Sequence, residues 1–474
     1  MKKLNKIALF IAFLCFLNYS NAQKFGAEKL DSLLSRTLDS MQKVHKGKSL
    51  SAAIQFKNGI NWKRARGTSS EAPFVPAASD QTYLIGSVTK TITSACILQL
   101  ADEKKLNLDD SLYKWIDTLK FINPNITIRQ LLRHQSGTYD VLQHPQNQAA
   151  LLAKKDSIWS YPNFIKKFVK PAVFDPGTDI EYCNTGYFLL GMIIEKASGQ
   201  PYYKEIKKRF FTPLGLNSFK LAAYEGLPSN ISHVWIDLNG DGILDDAHTF
   251  YTTWKSLNAV AGSAGGYYAL PSDVAKWMRY YMRGDLLSPA MMAQAKQTIF
   301  APKINSVNYG LGLMERTIGG LKAFGHGGDL SYSATTWYFP TKDISITVHC
   351  NDSKYISWTL DPAVVALLKT YTKYENLLTI DDKTLEKINF DLKIMPNPFQ
   401  ENTRIALKLP KGANELKLVF TNLLGENVGV ISKQNLLEGL QVIDTQDVAF
   451  QKGVFVVSVF VDGKMVAAEK IIKL

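Results

Sequence analysis

The sequence lacks several patterns that would settle its class at once. Cysteine is scarce, with 4 in 474 residues, which excludes the dense disulfide framework of small secreted domains. No Lys/Arg-rich run of five or more residues occurs, so the formal net charge of +13 is spread out and no nucleic-acid partner is predicted. An anionic surface or substrate is compatible with this positive net charge. No apolar run reaches the ~20 residues of a membrane-spanning helix, so no transmembrane segment is expected in the mature chain.

Two hydrolase motifs are also missing. No His-Glu-x-x-His pair and no histidine cluster with metal-ligand spacing occurs, which argues against zinc-dependent hydrolysis. Residues 325–328, Gly-His-Gly-Gly, resemble the oxyanion loop of α/β-hydrolase esterases. However, the Gly-x-Ser-x-Gly elbow that should follow that loop is absent. The composition, 46% hydrophobic and 20% charged, is ordinary for a folded protein, and the length predicts two or three domains.

The first positive signal lies at the N-terminus. Lys2, Lys3 and Lys6 precede an apolar run over residues 7–17, and small residues follow at 20 and 22. This order is typical of a secretory signal peptide, and the apolar run is too short to span a membrane. The sequence therefore predicts export.

Helical patterns dominate the early part of the chain and strand patterns the late part. Residues 87–106 form a largely apolar helical pattern. Thr127 to Gln130 form a capping box that opens a short helix predicted to stop at Gly137, and residues 186–198 predict another helix before Gly199. Residues 334–350 predict a β-hairpin with alternating faces. This arrangement indicates an α+β fold.

The last part of the chain is predicted to be all-β. After a polar stretch, short alternating runs recur, and Asp462-Gly463 is a hairpin turn signal. Such a segment makes a small sandwich. The predicted organisation is a signal peptide over residues 1–22, a main domain over 23–375, a linker over 376–391 and a β-sandwich over 392–474.

A serine and a lysine three residues apart open the first long helical pattern, at Ser87 and Lys90. At a helix start this spacing places both side chains on one face. A neutral amine there can take the proton of the hydroxyl, and the helix N-terminus favours the anion that develops. The same spacing recurs at Ser40 and Ser111, so spacing alone does not single out a site.

In chain order, Ser87-x-x-Lys90, Tyr182-x-Asn184 and His326-x-Gly328 resemble the three motifs of the serine β-lactamase and penicillin-binding-protein family, particularly its class C-like branch. The intervening stretches resemble the family as well: 131–137, 174–178, 186–191, 213–216 and 309–312. The resemblance implies an antiparallel sheet flanked by helices. It also implies an exported serine hydrolase that cleaves an amide or ester through an acyl-enzyme and needs no cofactor for catalysis.

The resemblance also implies roles for individual residues. Ser87 is the nucleophile, and Lys90 and Tyr182 share the general-base and general-acid roles, with the main base left open. Asn184 hydrogen-bonds the amide of the substrate. The backbone N–H groups of Ser87 and Asp329, the residue after Gly328, form the oxyanion hole.

The third motif begins with His326 rather than with lysine. A permanent cation suits a substrate carboxylate, whereas a histidine is only part-charged near neutral pH. The histidine form resembles the esterase and D-peptidase branches more than dedicated β-lactamases. The small-molecule or peptide substrate therefore stays open among a D-amino-acid peptide, a peptidoglycan fragment, a small ester and a β-lactam. Cys183 is predicted to pack in the core, and His134 to be structural.

One loop has the spacing of a calcium site. Asp237, Asn239, Asp241 and Asp245 supply oxygen ligands at positions 1, 3, 5 and 9, with glycine at position 6, but position 12 is His248 instead of glutamate. The sequence predicts either a structural calcium ion or an Asp/Asn/Gly turn without an ion.

Residues 392–474 resemble the C-terminal sorting domain of the type IX secretion system. The matching features are Met395 to Phe399, Leu423 to Glu426, and Gly453 to Phe455 before a closing basic strand. The resemblance implies the type IX secretion machinery as a partner, passage through the periplasm, and a secreted or cell-surface protein. The alternative is an appended adhesive sandwich.

Two other functions compete with hydrolysis. The same fold could serve as a catalytically silent peptidoglycan- or peptide-binding module, whose expected mark is loss of Ser87, Lys90 or Tyr182. All three are present. A surface structural or adhesive protein, with the sandwich as its working part, is the remaining alternative.

Overall fold

The computed structural model describes residues 28–378 except Ile60, and residues 392–474 except 423–425. The predicted signal peptide and residues 379–391 of the predicted linker lie outside these ranges. The chain divides into two compact units. The first is Thr37–Leu368, and the second combines the described parts of Met1–Arg36 and Lys369–Leu474.

A large antiparallel sheet organises the first unit. In the described part of the chain it has nine strands. From edge to edge they are Phe74–Pro76, Asn61–Glu71, Ser49–Gln55, Ile344–Cys350, Tyr332–Phe339, Leu321–Leu330, Met314–Ile318, Val307–Tyr309 and Ile299–Ala301.

The predicted hairpin near the end of the first unit lies at the centre of this sheet. Tyr332–Phe339 pairs with Ile344–Cys350, and every residue of both strands is buried. The predicted hairpin is confirmed, and both faces of its strands are covered. Strands that are covered on both faces need apolar or hydrogen-bonded residues at every position, and Thr336 and Thr347 meet this need by bonding to each other at 2.7 Å.

Besides the large sheet, the described residues up to 378 form α-helices, single helical turns and short strands. The α-helices are 28–45, Thr89–Asp102, Ile128–Leu132, Asn147–Ala153, Tyr161–Phe168, Asn184–Ser198, Tyr202–Ile206, Thr212–Leu214, Ala222–Glu225, His248–Thr252, Lys255–Gly265, Pro271–Arg283, Pro289–Ala295 and Asp361–Leu378. Single turns of 3₁₀ or π helix are Gly86–Val88, Leu112–Lys114, Val141–Gln143, Lys207–Phe211 and Ser357–Leu360. Short strands are Tyr83–Leu84, Lys220–Leu221, Tyr267–Ala269, Trp235–Ile236 and Asp245–Asp246.

The helix predicted over residues 87–106 is the central one. It spans Thr89–Asp102 after a 3₁₀ turn, is buried on nearly all sides, and packs against Asn184–Ser198 and Lys255–Gly265. A helix that is covered all round cannot be amphipathic, which explains its apolar sequence. It ends four residues earlier than predicted.

Two helix ends follow the expected local chemistry. At Thr127 the side chain accepts from the Gln130 N–H and the Gln130 side chain bonds back, so the predicted capping box is confirmed. That helix ends at Leu132, earlier than the predicted Gly137. Gly199 closes the later helix with φ of 74°, a conformation that glycine adopts without strain.

The second unit contains two small sheets that share an apolar core. One has Lys393–Met395, Arg404–Leu409 and Gly439–Asp444, and the other has Asn427–Leu436, Ala413–Asn422, Gly453–Val461 and Lys464–Lys473. The strands Lys393–Met395 and Asn427–Leu436 were not predicted, because none of their side chains is buried and their alternation is weak. At the predicted hairpin turn, Asp462 and Gly463 have φ of 47° and 77°.

The second unit also contains the start of the helix 28–45 and the end of the helix Asp361–Leu378. Leu30, Leu33 and Tyr374 pack with Val454 and Ile472. The helix Asp361–Leu378 includes the first three residues of the predicted linker. None of the helices in the described ranges combines the length and apolar character that a membrane span requires.

Candidate active site

Ser87 lies in a tight turn at the start of the central helix. The 3₁₀ turn Gly86–Val88 leads directly into that helix, and Gly86 has φ of 52°, a left-handed conformation that favours glycine. A Cβ atom on Gly86 would lie 2.7 Å from the Asp329 nitrogen, and one on Gly328 would lie 2.9 Å from the Ser87 nitrogen. The strand Leu321–Leu330 therefore passes directly against the turn, which places the amide nitrogens of Ser87 and Asp329 near each other.

The Lys90 side chain is completely buried behind Ser87 and has three partners. Its Nζ lies 3.0 Å from Ser87 Oγ, 2.8 Å from Asn184 Oδ1 and 2.8 Å from the Ala264 carbonyl oxygen. Amide and carbonyl oxygens only accept. A neutral amine therefore uses its two hydrogens on Asn184 and Ala264, and its lone pair faces the hydroxyl of Ser87. This is the geometry a general base requires.

Burial makes the neutral form accessible near neutral pH. Desolvation lowers the pKa of Lys90 to about 7, although the negative charge of Asp140 acts in the opposite direction. An ammonium removed from water loses hydration that three hydrogen bonds do not fully replace. Lys90 can therefore cycle between amine and ammonium near neutral pH.

Asp140, which sequence analysis missed, holds the amide of Asn184 in one orientation. One oxygen of Asp140 accepts from the Asn184 backbone N–H at 3.1 Å and from Nδ2 at 2.8 Å. The amide oxygen of Asn184 must then face Lys90. Asp140 lies 44 residues before Asn184 in a loop without helical or strand period, so no spacing in the sequence links the two.

Tyr182 lies beside the same lysine. The Lys90 Nζ is 4.7 Å from the centre of the Tyr182 ring. Burial raises the pKa of Tyr182 well above its usual range, and this effect outweighs the opposite effect of the Ser87 hydroxyl. The phenol therefore keeps its proton, which favours Lys90 over Tyr182 as the base.

A chain of buried polar groups runs behind Tyr182. His134 Nδ1 accepts from the Cys183 N–H at 3.1 Å, and His134 Nε2 lies 3.1 Å from Tyr309 Oη. Tyr309 Oη lies 3.0 Å from His326 Nε2, and His326 Nδ1 faces the Gly327 carbonyl oxygen. One assignment satisfies every group: His134 donates to Tyr309, Tyr309 donates to His326, and His326 donates to Gly327.

This series of hydrogen bonds requires both His134 and His326 to be neutral. Burial, together with the positive charge of Lys90, lowers the pKa of His326 to about 3. The pKa of His134 is also well below its usual range because of burial. The expectation of a part-charged His326 is therefore wrong. His134 is structural, as expected, but it also contacts the ring of Tyr182, with ring centres 4.3 Å apart.

These groups open into a pocket of about 400 Å³. Of the predicted residues, Ser87, Tyr182, Asn184, His326 and Asp329 line it, Lys90 lies beneath it, and Gly328 backs the Ser87 turn. Unpredicted lining residues include Asp140, Leu142, Lys303, Ile304, Met314, Ser357 and Trp358.

The calcium-like loop is separate from this pocket. The carboxylate of Asp237 accepts from the N–H groups of Gly240 at 2.6 Å and Gly242 at 2.9 Å, and that of Asp245 accepts from the Leu238 N–H at 3.1 Å. These are local turn bonds on the surface. Within the described residues, no group of three or more His, Cys, Asp or Glu side chains is placed to hold a metal ion.

The chain is similar in sequence to known proteins. The family model described as Beta-lactamase matches residues 34–368. Penicillin-binding protein 4* of Bacillus subtilis (strain 168) is 26% identical over 258 residues, which are 50% of this chain and 53% of that protein. The chain spans about a third to about half of the length of the curated relatives it matches.

Solved structures extend the similarity to the fold. A D-stereospecific amidohydrolase from Streptomyces sp. is 26% identical, with a TM-score of 0.59 over 68% of this chain and 94% of that chain. The D-amino acid amidase from Ochrobactrum anthropi SV3 is 22% identical, with a TM-score of 0.64 over 73% of this chain and 99% of that chain. The predicted α+β fold, an antiparallel sheet flanked by helices and followed by a small all-β region, is confirmed.

Proposed function

Because the chain belongs to the beta-lactamase family, we propose that it is a serine hydrolase that cleaves an amide or ester through an acyl-enzyme on Ser87. The observation that carries this proposal is the position of the Lys90 amine, 3.0 Å from Ser87 Oγ, with its other two partners both acceptors. With both of its hydrogens donated to these acceptors, the neutral amine can interact with Ser87 only by accepting the proton of the hydroxyl.

The proposed reaction has two halves. In acylation, Ser87 Oγ bonds to the substrate carbonyl carbon as its proton passes to Lys90 Nζ. The bond to the leaving nitrogen or oxygen then breaks, and that atom takes up a proton from Lys90, either directly or through Tyr182, whose hydroxyl gives up its proton and regains one from Lys90. In deacylation, water attacks the acyl carbon, gives a proton to the base, and releases the acid while Ser87 regains its hydrogen.

The turn and the strand supply the stabilising groups. We assign the N–H groups of Ser87 and Asp329 to the developing oxyanion, because the close approach at Gly86 and Gly328 brings those two nitrogens to one place. Tyr182 acts as a proton donor. Asn184 has one amide hydrogen left for the substrate after its bond to Asp140.

The test is covalent labelling of the full chain with a fluorophosphonate, followed by intact-mass and peptide mass spectrometry. Wild type and Ser111→Ala, a control in the equivalent Ser-x-x-Lys spacing, should gain one adduct on Ser87. Ser87→Ala should gain none. A folded wild type without an adduct would move the assignment to the catalytically silent binding module.

We further propose that the chain is exported and sorted by the type IX secretion machinery to the surface or medium. The support is the leader pattern over residues 1–22 and the small two-sheet region that begins at Lys393. Deleting residues 392–474 should abolish passage from the periplasm to the surface or medium in a host with that machinery and leave hydrolysis by the retained protein intact. Loss of surface binding without loss of export would favour the adhesive alternative.

A structural calcium ion at Asp237, Asn239, Asp241 and Asp245 stays a proposal. Its support is the ligand spacing alone. No step of the reaction above uses a metal ion.

A further inference from the structure

The charges around the pocket differ from those of the whole chain. The chain has a formal net charge of +13. Among the described residues that line the pocket, however, the charged side chains are the two carboxylates Asp140 and Asp329 and one lysine, Lys303. The lining therefore carries two carboxylates and one ammonium, and Lys90 beneath it alternates between amine and ammonium near neutral pH.

His326 does not add a positive charge to the pocket. Its two ring nitrogens are engaged inside the protein, by Tyr309 and by the Gly327 carbonyl, and the ring is 1% exposed. The ammonium form of Lys90 nearby opposes protonation. A substrate carboxylate therefore finds no cation at the start of the third motif.

Lys303 is already matched by acidic partners. Its Nζ is bonded to the carboxylate of Asp179 and lies 3.4 Å from that of Glu181. Two carboxylates around one ammonium give this group of side chains a negative net charge. An anionic substrate would have to displace them or share the lysine with them.

Asp329 is held in place but keeps the capacity to bind a donor. Its two oxygens accept from the Ser357 N–H at 2.6 Å and from Ser357 Oγ at 2.8 Å, and the residue is exposed to the pocket. A carboxylate offers about four acceptor positions, and the two bonds from Ser357 leave part of that capacity for a ligand. The backbone of Asp329 contacts the Ser87 turn, and the residue lines the same pocket as Ser87.

We propose that the pocket selects acyl groups that carry a cationic amine beside the scissile carbonyl, and that Asp329 binds this ammonium. An amino-acid amide or ester, or the free amino end of a short peptide, has this chemistry. Leu142, Ile304, Met314 and Trp358 give the apolar surface for the side chain of that acyl residue. The inference rests on the proposed function, since it names the substrate class of the same site.

The experiment measures how three ligands that differ in the group on the amino nitrogen slow the labelling of Ser87 by a neutral fluorophosphonate. The ligands are phenylalaninamide, its N-acetyl form and its N-succinyl form, each as both enantiomers, with the full chain at neutral pH. The group on this nitrogen is a cationic amine in the first, a neutral amide in the second, and an amide that carries a carboxylate in the third. Labelling without ligand reports the proposed function independently.

The expected order of protection is cation, then neutral, then anion. For at least one enantiomer, the half-protecting concentration of the amine should be about tenfold lower than that of the N-acetyl form, as for a charge-assisted hydrogen bond. In Asp329→Asn this ratio should fall to near one. In Lys303→Gln the ratio should stay as in wild type.

Two results would overturn the inference while Ser87 is still labelled. One is equal or better protection by the N-succinyl form, particularly if Lys303→Gln removes that protection. The other is an amine preference that survives in Asp329→Asn. Absence of labelling in wild type would instead refute the proposed function, and the inference with it.

Discussion

Two regions of the first unit bring acidic and amide side chains together, and they do so in opposite ways. Around Ser87, the partners come from distant segments, for example Lys90 and Ala264, which are 174 residues apart, and the lysine is fully buried. In the loop over residues 237–245, partners are 2 to 7 residues apart and exposed. Burial shifts pKa values strongly in the first region. Water screens the second, so equally polar sequences give different chemistry.

The largest expected effect comes from removing the buried amine. Lys90→Met should lower the rate of Ser87 labelling by about 10²–10⁴-fold, the range that a general base contributes. Lys90→Arg should not restore the rate, because guanidinium stays protonated. Stopped-flow measurements or timed mass spectrometry give the rate of Ser87 labelling.

Lys114→Met is the matched control, since Lys114 has the same spacing from Ser111 but is exposed. Its labelling rate should equal that of wild type. A labelling rate in Lys90→Met within tenfold of wild type would show that Lys90 is not the base.

Next in size is the buried chain behind Tyr182. Tyr309→Phe leaves His134 without an acceptor and His326 without a donor. Each unpaired buried group costs about 1–3 kcal/mol, so the free energy of unfolding should fall by about 2–6 kcal/mol in urea titrations. The exposed Tyr113→Phe should change it by less than ~0.5 kcal/mol. Equal stability of Tyr309→Phe and wild type would contradict the hydrogen-bond assignment.

A smaller effect, with a defined sign, is expected at Asp140. The reaction needs the neutral amine, so the labelling rate should rise with pH through the pKa of Lys90, which is about 7. The Asp140 carboxylate favours the ammonium. Asp140→Asn removes that charge, so the acidic limb should move to lower pH, with a rate loss of about tenfold from the loosened Asn184.

The pH–rate profile of Ser87 labelling checks this prediction. Asp241→Asn, in the exposed loop, should leave the limb where it is in wild type. A limb in Asp140→Asn that moves to higher pH, or does not move, would mean that the carboxylate does not act on Lys90.

The smallest effect is expected in the loop itself. Without calcium, Asp241→Asn should change stability by less than ~0.5 kcal/mol. If the loop binds calcium, wild type should gain about 1.4 kcal/mol at tenfold the dissociation constant, and the variant should gain less. Melting curves with calcium and with a chelator measure this, and identical curves for wild type would exclude the ion.

Local patterns allowed much of the fold to be predicted. The capping box at Thr127, the helix that ends at Gly199 and the turn at Asp462-Gly463 depend on neighbours along the chain, and the structure has them where expected. The weakly patterned strand Asn427–Leu436 was missed, and the pattern over residues 334–350 predicted a hairpin without indicating that both of its faces are covered. What covers a strand is decided by other segments.

The sequence by itself determined which groups are available: a hydroxyl and an amine one turn apart at Ser87 and Lys90, and a phenol and an amide two apart at Tyr182 and Asn184. Only the tertiary structure decided their charge states and partners. Asp140 and Ala264 orient Asn184 and Lys90, and Tyr309 keeps His326 neutral. The physical reason is that desolvation and hydrogen bonding depend on atoms that fold in from remote segments, and spacing along the chain does not encode them.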